Sequence, residues 1–128
     1  MTSVKAVRLA AFVLAAGSLV NCGGSSTPTN PTPTATNTVT LTGSGASPKN
    51  IQIALGTRVL FVNNDSRSHS MNSDPHPEHT DCPELNQVGF LSPGQSRETG
   101  NLVVARSCGF HDHDNPNVTT FQGTITIK

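Results

Sequence analysis

Ser107-Cys108-Gly109-Phe110-His111-Asp112-His113 places one thiol and two imidazoles within seven residues. The apolar run Leu102-Val103-Val104 precedes it and is expected to be the strand that leads into it. Sulfur and imidazole at this spacing can share one metal ion. They suit copper and zinc far better than magnesium or calcium. The same cysteine also suits a disulfide, with the histidines then ordinary loop residues. Both readings stand on this stretch alone.

Outward from it, the pattern is that of short strands. Thr124 to Ile127 alternate to the end of the given sequence. Val39 and Leu41 alternate with Thr38, Thr40 and Thr42, and Ile51, Ile53 and Leu55 alternate again after a break at Gly43 to Pro48. Val59-Leu60-Phe61-Val62 is a continuous apolar run, expected to be covered on both faces. Val88 to Leu91 runs into a Ser92-Pro93-Gly94 turn. No helical apolar stripe follows residue 38, so the expected class is an all-β sandwich or barrel. Ser66 to Gln87 has no periodicity and is expected to be a long functional loop.

All five histidines fall in two clusters: His69, His76 and His79, then His111 and His113. His69 and Met71 are two residues apart, as are His111 and His113, and in extended chain such pairs point to one side. His69 and His111 are the leading ligand candidates. His113, His76 and His79 follow, and Met71 reads as a rim or core residue before a ligand. Asp74, Glu78, Asp81 and Glu84 crowd the long loop as a solvated acidic surface. No paired-carboxylate or Ser-His-Asp arrangement stands out, so an enzyme is not expected.

The first 37 residues read differently. Lys5 and Arg8 precede an uncharged run from Leu9 to Val20, too short to span a bilayer and suited to a secretory signal. Leu19-Val20-Asn21-Cys22 closes it and resembles the lipobox of bacterial lipoproteins. That resemblance implies a signal peptide over 1–21 and a lipid on Cys22. It also implies an exported chain, anchored to a membrane and facing the periplasm or cell exterior. Residues 22–37 are rich in Ser, Thr and Pro and are expected to be a disordered tether. Export leaves Cys82 and Cys108 as an even pair in an oxidising compartment, a disulfide candidate. Without Lys5 and Arg8, six basic residues face eight acidic ones. That balance, with no Trp or Tyr, excludes a nucleic-acid binder.

Residues 38–128 resemble the cupredoxins, the plastocyanin-like small copper domains. Arg58-Val59-Leu60-Phe61-Val62-Asn63-Asn64-Asp65-Ser66 followed by His69 is similar to their strand and first ligand. Leu91 to Ser96 resembles a turn of that family, Cys108-Gly109-Phe110-His111 its Cys-x-x-His pair, and Phe121 to Ile127 its last strand. The resemblance implies a Greek-key β-sandwich and a copper centre on His69, Cys108 and His111. Phe121 stands where that family usually has its axial Met, so a fourth donor would be His113, Met71 or a loop histidine.

The expectation is thus an exported lipoprotein with one cupredoxin-like domain. It would be a monomer that binds copper, with zinc the alternative metal. With Cys108 as a thiolate, the role implied is electron transfer with a redox partner. With Cys82 and Cys108 bridged, it is copper handling through histidines, with a copper-handling protein as partner. The alternative is a metal-free interaction module held by the disulfide.

Overall fold

A computed structural model describes residues 37–128. The expected signal peptide over 1–21, the Cys22 lipidation site and nearly all of the tether lie outside the described residues. Nine strands are present among those described: β1 (Thr38–Thr42), β2 (Gly45–Ser47), β3 (Asn50–Ile53), β4 (Leu60–Asn63), β5 (His69–Ser73), β6 (Gly89–Leu91), β7 (Ser96–Glu98), β8 (Arg106–Asp112) and β9 (Gly123–Ile127). Two single-turn 3-10 helices, Leu85–Gln87 and Thr119–Phe121, complete the set. The described residues are all-β, as their alternation indicates.

The strands form two sheets. One has the order β2-β1-β4-β7 and the other β3-β9-β8-β5-β6. Two neighbouring pairs run parallel, β1 with β4 and β3 with β9, so the chain must cross over within each. The others pair antiparallel. Alternation sets what fills the space between the layers. Val39, Leu41 and Phe61 enter from the first sheet. Ile53, Met71, Leu91, Phe110, Ile125 and Ile127 enter from the second. Phe61 and Phe110 meet edge to face, with ring centroids 5.4 Å apart. In the Ser92-Pro93-Gly94 turn, Gly94 takes φ +79°, and the Gln95 amide closes on the Ser92 carbonyl at 3.0 Å. Glycine suits that position because it has no Cβ to strain it.

Three readings change. Val59 to Val62 is covered on one face only, because Leu60 and Val62 are half-exposed while Val59 and Phe61 are buried. Leu102 to Val104 is not the strand: Leu102 makes an isolated bridge to Thr57, while Val103 and Val104 are exposed. The strand is the Cys-and-His stretch itself, within β8. The long loop also proves shorter, because residues 69–73 form β5, between β8 and β6 in the second sheet. Its Ser, Asn and Met side chains gave no β-branched signal; pairing with β6 and β8 makes it a strand.

Candidate metal centre

Alternation along β8 decides what each side chain meets. Phe110 and Asp112 turn inward, while Gly109, His111 and His113 take the outer face. Residues 74–79 leave β5 and cover part of that face. The Asp74 amide donates to the Gly109 carbonyl at 3.0 Å. A Cβ at Gly109 would collide with the Asp74 carboxylate, so glycine is what lets the loop settle there. From that position Asp74 Oδ1 reaches His111 Nδ1 at 2.6 Å.

A carboxylate only accepts, so Nδ1 of His111 donates and the ring's lone pair sits on Nε2. That Nε2 is buried, with no hydrogen-bond partner among the described residues. Buried polar atoms are nearly always satisfied, so an orphan of this kind calls for a cause. His79 is set the same way. Its Nδ1 lies 2.8 Å from the Ser73 carbonyl, which cannot donate, so its lone pair is also on Nε2. The residue sits in the left-handed region at φ 55°, which L side chains seldom adopt. Three bonds hold it there: its amide to the Pro75 carbonyl, its carbonyl to Asn86 Nδ2, and the ring to Ser73.

His113 and His76 complete the group. His113 Nδ1 is 2.9 Å from His79 Nε2. The His76 ring lies 4.9 Å from His113, 5.4 Å from His111 and 5.6 Å from His79 between centroids. One ligand atom from each of the four falls within 4.8 Å of all the others. Partial loss of hydration among its neighbours, and then the imidazoles of His113, His111 and His79, push the His76 imidazole below its usual range, against Glu78. It therefore stays in the neutral, ligating form to lower pH.

The remaining ligand candidates sit elsewhere. His69 is on the inner face of β5, only 1% exposed. Its Nδ1 is 3.0 Å from Asp112 Oδ2 and its Nε2 is 3.1 Å from Asp65 Oδ2. Burial alone would raise the Asp65 carboxyl. Hydrogen bonds from His69, Arg67 and the Ser66 amide outweigh it and hold the group at about 2. Asp112 is likewise lowered, since bonds from His69, the Ser70 amide and Asn115 outweigh its burial. Both ring nitrogens of His69 are thus taken up by carboxylates on the inner face, and neither is turned toward the other histidines. Phe121 packs against the same ring at a tilt, with centroids 4.3 Å apart. Met71 is buried in the core.

Cys108 is bonded to Cys82, with Cα atoms 5.7 Å apart. Of the two readings of Cys108, the disulfide is the one present. A bridged sulfur offers no thiolate, so the trigonal set His69, Cys108 and His111 is not assembled. The imidazole set is. Asp74 went unrecognised as a partner, read in the sequence as solvated acidic surface. Its one sequence signal is its place two residues before His76.

Solved structures with the same fold include a purple cupredoxin from Nitrosopumilus maritimus (18% identity, 71% of this chain and 98% of that one, TM-score 0.55). Plastocyanin from Dryopteris crassirhizoma is similar at 20% identity over 71% and 99%, with a TM-score of 0.55. A mutant amicyanin in a Cu(I) form is similar at 12% identity over 71% and 80%, with a TM-score of 0.53. No protein-family model and no curated protein matches the chain. This is a cupredoxin-like β-sandwich. Its histidine cluster lies on the outer face of β8, under the loop that follows β5.

Proposed function

We propose that the domain binds a transition-metal ion, copper before zinc, through His76, His79, His111 and His113. The observation that supports this best is the buried, unpartnered Nε2 of His111, aimed among three other imidazoles. Four neutral nitrogens suit Cu(II), Cu(I) or Zn(II), and not calcium or magnesium. The Asp74–His111 and Ser73–His79 bonds are the outer supports that metal-ligating histidines usually have. A bound ion would supply Lewis acidity or a redox couple, without the tuned potential of a copper-thiolate centre. The role is metal binding and handling rather than catalysis. The Leu19-Val20-Asn21-Cys22 junction supports export and a lipid on Cys22, with the domain on the outer side of a membrane.

Metal analysis of the purified protein, before and after copper loading, tests the reading. About one equivalent should bind, with a pale product instead of an intense blue. The His79→Ala, His111→Ala double variant should lose it, while His69→Ala should keep it. If the double variant binds copper as well as wild type, the site is elsewhere. If no metal binds at all, the metal-free interaction module becomes the better reading.

A further inference from the structure

The four histidines are not held alike. His111 is buried and fixed through Nδ1 by Asp74. His79 is fixed through its ring, amide and carbonyl. His76 is exposed, and its ring makes no hydrogen bond among the described residues. His113 is exposed too, and among the described residues its ring bonds only to His79, inside the cluster. Any ion that the four share would be gripped from below by two oriented imidazoles and reached from solvent past two unsupported ones.

We propose that this is a metal-exchange site, in which His79 and His111 retain the ion while His76 and His113 are the ligands given up to an incoming acceptor. The inference rests on the metal-binding reading above. The step is ligand substitution: the bond from the ion to an imidazole nitrogen of His76 or His113 breaks as a bond to the acceptor's donor atom forms. No electron is transferred, and the released imidazole stays neutral or takes a proton from water. The acceptor is an exposed chelating group with nitrogen or sulfur donors, on a small molecule or on another protein. An ion caged on all sides would have to dissociate first, and the acceptor could not speed its release. Here the acceptor can bind before the ion leaves. Reorienting His76 and His113 costs no supporting hydrogen bond outside the cluster, whereas freeing His111 would leave Asp74 without its partner.

Zinc is the probe, because it has no redox chemistry to confuse the readout. The full chain, loaded with one equivalent, is mixed rapidly with excess 4-(2-pyridylazo)resorcinol and release is followed by colour. The observed rate should rise in proportion to chelator concentration. His76→Ala and His113→Ala should each weaken zinc affinity by about tenfold or less, and release faster. His79→Ala and His111→Ala should weaken it by about 100-fold or more, the upper end of what even outer supports contribute. A rate independent of chelator concentration overturns exchange while leaving metal binding intact. So does an equal loss of affinity across all four variants. Failure to bind zinc or copper at all overturns both.

Discussion

Asp74 Oδ1 stands 2.6 Å from His111 Nδ1, and the space it occupies exists because residue 109 has no side chain. The pair fixes which nitrogen of His111 carries the lone pair, and so where a metal can bind. Asp74→Ala should lower copper or zinc affinity by about 10–100-fold while the fold persists. Gly109→Ala should produce a similar loss by displacing the carboxylate. Isothermal titration of both variants checks this, and unchanged affinity in both would show that the pair is ornamental.

His69 tests the inner face against the outer one. Its ring lies between Asp65 and Asp112, both buried, and removing it leaves each carboxylate one donor short. Leaving a buried polar group short of a hydrogen bond costs about 1–3 kcal/mol. His69→Ala should therefore unfold at markedly lower denaturant yet bind metal with unchanged stoichiometry. A variant of normal stability that had lost its metal would return His69 to the site.

The same network gives the domain an acid limit. The folded Asp65 carboxyl is held at about 2, below its ordinary value of 3.8. A depressed carboxyl contributes stability above the unfolded value and loses it as pH falls through the folded one. Stability should hold at pH 5 and decline between about 4 and 2. Denaturant midpoints across that range should slope less steeply in Asp65→Asn than in wild type. Equal slopes would remove Asp65 as the cause.

The bridge between Cys82 and Cys108 ties the histidine loop to β8. Each cysteine lies three residues from a cluster histidine, Cys82 after His79 and Cys108 before His111. No thiol should titrate in the denatured, unreduced domain. Cys82→Ala should cost about 2–5 kcal/mol, as for native bridges in small exported domains. Thiol titration and thermal unfolding read these out, and two free thiols would contradict the bridge.

Much of this was legible in the chain. The alternating Thr38–Thr42 and Thr124–Ile127 runs are strands, and the paired spacing of His111 and His113 does aim both at one face. The family likeness pointed to the sandwich. It also favoured His69 over His76 and His79. Period-two spacing says which side chains share a face, but not whether that face is the core or the surface. His69 and Met71 share theirs with the core, so the first expectation chose ligands from opposite sides of one sheet. The partners were invisible for a related reason. Asp112 lies 43 residues from His69, and Asp74 lies 37 from His111; only strand pairing brings them together. Polar strands such as β5 also escape hydrophobic patterning, because hydrogen bonding to neighbours defines them.

The parallel pairing of β1 with β4 has one more consequence. It seats β1, and with it Asn37, in the four-stranded layer, while the histidines stand on the outer face of the five-stranded one. A visiting molecule can therefore reach the exposed His76 and His113 without touching the layer in which the described residues begin.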